Sequence, residues 1–247
     1  KARSEILSEQ STTFTKENLD TFLKELGKTF RKLNGTSMPA EIILIGGAAI
    51  LACYGFREMT TDVDAVIIAS SAMKDAINRV GDKFGLPNGW LNSDFTHTSS
   101  YSPKLNEVSV YYKTFSNVLR VRAVSAEYLI AMKLRSGRKY KNDLSDVIGI
   151  LYEHQKAGTP ISMDDITNAV TKLYGGWDDF SQYSKDFIKY AFEVRDYEKL
   201  FADNVAEEKR SNDTLIGFEK DYPGVTTESN VNDILASLKE KRQSARQ

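Results

Sequence analysis

The feature that most constrains this chain is an apolar run that ends at two adjacent glycines and continues as an alanine-rich segment. The run Ile42 to Ile45 is followed by Gly46 and Gly47, and Ala48 begins the alanine-rich segment. A short apolar run bounded by glycine is typical of a strand that is buried on both faces. The pattern predicts a central strand, a tight glycine turn and then a helix, as in α/β (α+β) folds.

A second strand is predicted shortly afterwards, and two acids stand at its beginning. Asp62 and Asp64 are separated by one residue, and apolar, mostly β-branched residues follow them through Ile68. Residues i and i+2 of a strand point to the same side, so the two carboxylates are expected to project together. Adjacent carboxylates repel each other unless a cation lies between them. Oxygen ligands of this kind favour Mg²⁺, or Mn²⁺, with open positions for a phosphate substrate.

The glycine pair supplies the second half of a nucleotide site. Because glycine has no Cβ, a phosphate can approach the backbone closely at Gly46 and Gly47. The helix that follows offers free N–H groups and the positive end of its dipole to an anion. A phosphate cradle beside metal-binding acids is the outline of a site for a nucleoside triphosphate (NTP).

Composition excludes several other classes of protein. At 247 residues with a net charge of −1, the chain can bury a sizeable core and has no global attraction for nucleic acid. Its single cysteine, Cys53, excludes an intrachain disulfide, and with two histidines it leaves no Cys/His cluster for zinc. No apolar run reaches membrane-spanning length, and the start lacks a signal-peptide core. These features predict a cytoplasmic protein with no membrane partner.

Three regions are predicted along the chain. Residues 1–14 are expected to be disordered or frayed, residues 15–157 to form the catalytic domain, and residues 158–247 to form a helical C-terminal region. Periodicity predicts helices at 15–33, 47–54, 73–84, 125–137, 162–174, 180–200 and 231–241, and consecutive sheet strands or a hairpin at 107–112 and 118–124.

The polar, turn-rich loop at 88–103 has two interpretations. It could line the mouth of a site, because functional groups concentrate on loops, or it could be plain surface. For His97 in this loop, plain surface is the expectation.

The glycine turn and the acid pair resemble the signature of the nucleotidyltransferase superfamily, in which Gly-Gly or Gly-Ser at a strand–helix turn precedes Asp-x-Asp on the next strand. Downstream, the segment 127–138 and the following Asp143-Leu144-Ser145-Asp146 resemble the DUF6036 nucleotidyltransferases and the related AbiEii-type toxins. The resemblance covers roughly residues 15 to 155. It implies a mixed sheet flanked by helices.

The resemblance also implies roles for individual residues. Asp62 and Asp64 would hold the metal, Lys133 would neutralise phosphate charge, and Arg138 would assist it. The further candidates for binding the nucleotide or its phosphates are Gly46, Gly47, Thr61 and Arg57. Two plainer readings stay open: Arg57 as a solvated surface residue, and the basic group at 133–141 as favourable charge at a helix C-terminus.

A third carboxylate is the part of the family pattern that is missing. Nucleotidyltransferases commonly carry it on a later strand, and the equivalent alternation here offers Arg120 and Arg122. Asp143 and Asp146 share one helix face. One of them could substitute for the missing acid or hold Lys133 in place, and Asp143 could simply cap the helix.

Two functional hypotheses follow. The first is a Mg²⁺-dependent nucleotidyltransferase that moves a nucleoside monophosphate from an NTP to an acceptor hydroxyl on tRNA, protein or a small molecule. The toxin resemblance adds a role in a toxin–antitoxin or phage-defence system, with a cognate antitoxin as partner. The second is a binding module that has kept the fold, lost catalysis and acts through a protein or RNA partner.

Overall fold

A computed structural model describes residues 13–227 and 230–244. In this part of the chain a five-stranded mixed sheet is flanked by helices and followed by a helical C-terminal region, which confirms the predicted fold class. The strands are β1 (Ala40–Leu44), β2 (Val63–Ile68), β3 (Leu91–Asn92), β4 (Ser109–Phe115) and β5 (Leu119–Val124). The helices are α1 (Lys16–Asn34), α2 (Gly46–Cys53), α3 (Ala72–Phe84), α4 (Ala126–Ser136), α5 (Asp143–Lys156), α6 (Met163–Tyr174), α7 (Gln182–Val194), α8 (Tyr197–Asp221) and α9 (Val231–Ser244).

The order of the strands brings the glycine turn to the acid pair. The sheet runs β3-β2-β1-β5-β4, and β1 pairs antiparallel with β2 and parallel with β5. Because β1 and β2 run in opposite directions, the end of β1 lies beside the beginning of β2. The N–H of Ile45, directly after β1, donates to the carbonyl of Asp64 at 3.0 Å. The turn that follows β1 therefore meets the Asp-x-Asp segment that opens β2.

The hairpin and the helix after it form as predicted. β4 and β5 pair antiparallel, and the turn between them holds Ser116 and Asn117 at φ of 53° and 57°. Left-handed residues at both central positions suit a tight hairpin, because that turn has the same twist as the strands. Helix α4 begins after Ser125 and ends at Gly137, whose φ of 55° places it in the left-handed region.

The predicted helix at 180–200 is wrong as a single element. Helix α7 ends at Val194, Arg195 adopts a left-handed φ of 55°, and α8 begins at Tyr197 and continues to Asp221. The side chain of Asp196 caps α8 by accepting a hydrogen bond from the N–H of Lys199. The break was missed because an arginine, and not the usual glycine, occupies the left-handed position.

One apolar core joins the sheet to the helices on both sides of residue 157. Its buried members come from the strands, from α1 to α6, and from Ile188 and Leu200 in the C-terminal region. A separate small cluster of Tyr140, Leu215, Val231 and Leu235 holds α9. The C-terminal helices are thus packed onto the predicted catalytic domain.

Most of the segment predicted to be frayed, residues 1–14, lies outside the described residues. Its last residue, Phe14, is fully buried and exchanges two backbone hydrogen bonds with Thr60, at 2.8 and 2.9 Å. None of the helices in 13–227 and 230–244 is both long and apolar enough to cross a bilayer.

Candidate active site

A cavity of about 470 Å³ opens where the glycine turn, the start of β2, α4 and the first turn of α5 meet. Of the predicted site residues, those that line it are Gly46, Asp64, Lys133, Arg138 and Asp143. The predicted residues that are not part of this lining are Gly47, Arg57, Thr61, Asp62 and Asp146. The cavity therefore brings together residues from the glycine turn, the acid strand and the basic helix.

Gly46 is required by its backbone conformation. Its φ is +53°, in the left-handed region that side chains with a Cβ adopt at a cost. Apart from its chain neighbours and the adjoining backbone of α2, no described atom lies within 4 Å of the position that a Cβ would take. Gly46 consequently presents bare backbone to the cavity at the beginning of α2.

Gly47 is required for a different reason, the close approach of two side chains. A Cβ at Gly47 would lie 2.6 Å from Thr60 Oγ1 and 2.9 Å from an Arg57 guanidinium nitrogen. Both distances are too short for any side chain, so the second glycine lets Arg57 close onto the first turn of α2. The two glycines therefore have separate roles: Gly46 leaves its backbone open to the cavity, and Gly47 leaves room for the side chain of Arg57.

Asp62 and Asp64 both lie near the glycine turn, but they are placed differently. Asp64 is half-buried on β2 and lines the cavity. Asp62 precedes β2, is exposed, and accepts a hydrogen bond from the Thr60 hydroxyl at 3.1 Å. Because Thr60 also contacts Gly47, Asp62 is linked to the glycine turn through a single side chain. Thr61, between them, is exposed.

The chemistry of these two carboxylates suits a hard divalent cation. Asp64 offers oxygen ligands in the same lining as Gly46, and Asp62 lies two residues before it; phosphate oxygens could complete the coordination of Mg²⁺ or Mn²⁺ there. The described residues hold no group of three or more His, Cys, Asp or Glu side chains that could bind a metal by themselves. Any cation here would therefore depend on the substrate for part of its coordination.

Lys133 lies at the centre of a buried ion network. Its side chain is 10% exposed, and its Nζ lies 2.9 Å from Asp143 Oδ1 and 2.8 Å from Asp146 Oδ2. Both aspartates are almost completely buried. A lysine held by two buried carboxylates is fixed in position at the cavity wall.

Two arginines complete this network. Arg57 Nη1 lies 2.5 Å from Asp146 Oδ2, and its side chain is only 14% exposed, so Arg57 is not a solvated surface residue. Arg138 donates to Asp143 Oδ2 from its Nε at 2.9 Å and from its backbone N–H at 3.2 Å. Three cations and two carboxylates thus lie together in one network beside the cavity.

The ionisation of this network follows from the balance between burial and counter-charge. Burial opposes the charged form of Lys133, but Asp143 and Asp146 outweigh it, and the pKa of Lys133 is raised. Burial likewise opposes the Asp143 carboxylate, yet Lys133 and Arg138 hold its pKa well below the usual range. Both groups are therefore charged at neutral pH.

Packing behind the site fixes Arg57. The ring of Phe56, the preceding residue, lies against α5 at Gly149, where a Cβ would come within 2.5 Å of the ring. Phe201 of α8 packs edge-on against the same ring, with centroids 5.5 Å apart. The absence of a side chain at Gly149 thus allows Phe56 to anchor Arg57 beside Asp146. Neither Phe56 nor Gly149 belongs to a sequence motif, so no pattern in the chain predicts this contact.

The acids of α5 have a definite structural role. Asp143 is the first residue of α5, after the N-cap Asn142, and its carboxylate faces Lys133 and Arg138. Of the alternatives for Asp143 and Asp146, the geometry corresponds to holding Lys133 in place. The basic group on α4 is correspondingly part of a buried network and not only charge at a helix end.

The two arginines at the position of the missing acid are occupied elsewhere. Arg122 lies 3.3 Å from Glu41 Oε1 and donates to the Ser109 carbonyl at 2.6 Å. Arg120 lies 3.8 Å from the other oxygen of Glu41. Neither arginine belongs to the described lining of the cavity.

Two further parts of the chain form the walls of the cavity. The loop residues from His97 to Ser100 line one side, so His97, expected to be plain surface, is exposed at the mouth of the cavity. Tyr140, together with Val231 and Asn232 at the start of α9, lines another side. The helix at 231–241 was predicted, but its place beside the cavity was not, because that place depends on the small cluster that packs α9 against α8.

Comparison with known proteins gives one match. Residues 21–179 match the model of the family DUF6036, described as a nucleotidyltransferase of unknown function. No curated protein and no solved structure matches the chain. The matched range contains β1 to β5, the glycine turn, both acid pairs and Lys133. Since it covers more than half of the sequence, the chain belongs to the DUF6036 family of nucleotidyltransferases of unknown function.

Proposed function

We propose that the chain is a Mg²⁺-dependent nucleotidyltransferase that transfers a nucleoside monophosphate from an NTP to an acceptor hydroxyl. The observation that carries this proposal is one cavity lined by Gly46, Asp64 and Lys133. Backbone open to phosphate, a carboxylate for a metal and a fixed cation are the groups that phosphoryl transfer requires, because its catalysis depends on positioning and electrostatics.

In this proposal the triphosphate lies along the start of α2. The open backbone at Gly46 admits the phosphates, and the N–H groups of the first helical turn donate to them. Asp62 and Asp64 would hold the metal ion, which when bound neutralises phosphate charge and orients the α-phosphate. Thr60 orients the Asp62 carboxylate through its hydroxyl.

The basic network then stabilises the leaving group. The acceptor oxygen forms a bond to the α-phosphorus, the bond from that phosphorus to pyrophosphate breaks, and the proton of the acceptor hydroxyl passes to solvent water. Negative charge grows on the pyrophosphate as it leaves. Lys133 and Arg138 line the cavity and offset that charge, while Asp143 and Asp146 keep them in place.

The acceptor is proposed only as a class: a hydroxyl of tRNA, of a protein or of a small molecule. The resemblance to AbiEii-type toxins extends the proposal to a toxin that is controlled by a cognate antitoxin. The overall charge of −1 supports an acceptor that binds locally and not through a broad basic surface.

A second candidate function rests on a specific observation. The described residues lack a third carboxylate at the acid pair, and Arg122, at its usual position, is paired with Glu41. A fold that binds nucleotide without catalysing transfer would fit this arrangement, and it would act through a protein or RNA partner.

One experiment separates the two candidates. The protein is incubated with Mg²⁺ or Mn²⁺, each NTP labelled at the α-phosphate, and either total RNA or a protein lysate, and Asp64→Asn is the control. We expect label to appear in an acceptor with one or more NTPs and to disappear in the variant. Metal-dependent NTP binding by calorimetry without any transfer would favour the binding module, and absence of both would refute the proposed function.

A further inference from the structure

A carboxylate from the C-terminal region lies at the beginning of α5. Glu208, on α8, is 5% exposed, and its Oε1 accepts hydrogen bonds from the N–H groups of Leu144 and Ser145 at 3.0 and 3.1 Å. The N-cap of α5, Asn142, makes no side-chain capping bond among the described residues. Glu208 therefore performs from another helix the capping that the local sequence of α5 lacks.

The turn that Glu208 caps is the one that holds the basic network. Leu144 and Ser145 lie between Asp143 and Asp146, the two acids that bind Lys133. A change in the position of this turn would move both acids together, because they share the same backbone. The contact of Glu208 with two consecutive N–H groups fixes the direction in which that backbone enters the helix.

The environment of Glu208 is unfavourable for an ionised side chain. Burial, with a contribution from the charge of Asp146, raises the pKa of Glu208 to about 7. Its Oε2 is buried and has no hydrogen-bond partner in the part of the chain that the structure describes. A carboxyl group kept in such a place at a cost is a candidate for a functional role. An apolar side chain would serve packing alone better.

We propose that Glu208 is a positioning residue for nucleotidyl transfer, which fixes the first turn of α5 so that Asp143 and Asp146 present Lys133 to the cavity. This inference rests on the proposed function. Glu208 lies beyond the matched family range of 21–179, so the C-terminal region becomes part of the active unit and not an appendage.

The test compares three substitutions of Glu208 with a control on the same helix. Glu208→Gln keeps an oxygen that accepts both hydrogen bonds, Glu208→Asp keeps the charge but shortens the reach, and Glu208→Ala removes the group. The control is Glu207→Ala, because Glu207 is the neighbouring glutamate, is 44% exposed and pairs with Arg210 and Lys239. Turnover, KM for the NTP, thermal unfolding and hydrogen exchange of the α5 amides are measured for each variant.

For Glu208→Ala and Glu208→Asp we expect kcat to fall by about tenfold to a hundredfold at temperatures where both are fully folded, as for small misplacements of catalytic groups. Glu208→Gln and Glu207→Ala should stay within about threefold of wild type. The rescue by Gln, together with faster exchange at Leu144 and Ser145 in the Ala and Asp variants but not in the Gln variant, distinguishes positioning from general stability.

Wild-type kcat in folded Glu208→Ala or Glu208→Asp would overturn the inference, and so would a loss in Glu208→Gln as large as in Glu208→Ala. If Glu208→Ala does not fold, the Asp and Gln variants carry the comparison. Failure of the proposed function gives a different result: wild-type protein then neither binds NTP nor transfers label. In that event, unchanged exchange at Leu144 and Ser145 in the Ala variant would still refute the capping role on which the inference depends.

Discussion

The chain contains two pairs of aspartates close to one cavity, and the contrast between them explains the organisation of the site. Asp62 and Asp64 lie at i and i+2 around the start of a strand; Asp62 is exposed and Asp64 is half-buried. Asp143 and Asp146, at i and i+3 on a helix, are buried and bind Lys133 and two arginines. The negative charge of the second pair thus faces three cations inside the protein, whereas the first pair lies at the more exposed opening of β2.

This difference means that the two pairs should respond in opposite ways to substitution. Loss of an acid from the pair at the cavity should remove activity with little effect on folding. Loss of an acid from the buried pair should first of all destabilise the protein, because Lys133, a buried cation, then loses one of its two counter-charges.

The largest expected effect is on activity, at Asp64. Asp64→Asn should lower nucleotidyl transfer by about a thousandfold, because a carboxylate that would hold the metal is lost at the reacting phosphate. Its unfolding free energy should change far less than in Asp143→Ala. Transfer of label from the NTP and urea unfolding measure the two quantities.

The matched control is Asp75→Asn, since Asp75 is an exposed aspartate in the first turn of α3. It should change neither quantity measurably. If Asp64→Asn retains transfer while the wild type is active, the assignment of the first pair to the metal is wrong.

The second prediction concerns the buried pair. Asp143→Ala should lower the free energy of unfolding by up to about 3 to 5 kcal/mol, because buried Lys133 would lose one of its two counter-charges and Arg138 would lose its contacts with Asp143. Urea unfolding at neutral pH measures the change, and Asp164→Ala on the exposed face of α6 serves as the control. A loss below about 1 kcal/mol, typical of exposed pairs, would contradict the burial of this network.

The third prediction is that the stability of the protein depends on pH through Glu208, which caps the turn between Asp143 and Asp146. The pKa of Glu208 is raised from 4.5 to about 7 in the folded protein, so this group binds its proton more tightly in the folded state than in the unfolded state. Its contribution to stability is therefore fully present below pH 4.5 and is lost as the pH rises through about 7.

Glu208→Gln has no proton to lose and removes this contribution. The stability of the wild type relative to that of Glu208→Gln should fall by up to about 3 kcal/mol between pH 4.5 and 7.5, and then level off. Urea unfolding of both proteins over that range measures it. Parallel pH profiles would show that Glu208 titrates normally.

The two pairs also differ in how far the sequence predicts them. The glycine turn and Asp-x-Asp are local patterns, and the antiparallel pairing of β1 with β2 is enough to bring them together. Asp143 and Asp146 were recognised as candidates, but their role depends on distant contacts with Arg57 and Lys133. Spacing along the chain therefore does not decide between the alternative roles of Asp143 and Asp146.

The residues that support the buried pair could not be predicted at all. Glu208 meets α5 across more than sixty positions of sequence, at the N–H groups of Leu144 and Ser145. The contact of Phe56 with Gly149 likewise joins segments that are distant in the chain. Such contacts exist only after the helices have packed, and each uses a residue type that is ordinary in its local sequence.

The smallest expected effect is on stability, at Gly149. It tests the packing of Phe56 against α5 by comparing two glycines that both lie within helices. On helix propensity alone, alanine at either site would stabilise the protein by about 1 kcal/mol. At Gly217 of α8 no described atom outside its chain neighbours and the adjoining helix backbone lies within 4 Å of a new Cβ, so Gly217→Ala should show a gain of this order. At Gly149 the Cβ would lie 2.5 Å from the ring of Phe56, which must move.

Overpacking of this kind costs about 1 to 3 kcal/mol, which outweighs the propensity gain, so Gly149→Ala should be destabilised by about 1 kcal/mol. Because Phe56 precedes Arg57, the displaced ring should also loosen Arg57 from Asp146 and weaken NTP binding, while Gly217→Ala binds normally. Thermal unfolding and calorimetric titration with Mg²⁺ and NTP measure both effects. Equal gains in stability at the two glycines would mean that Phe56 does not anchor Arg57, and that the buried pair is held by its own charges alone.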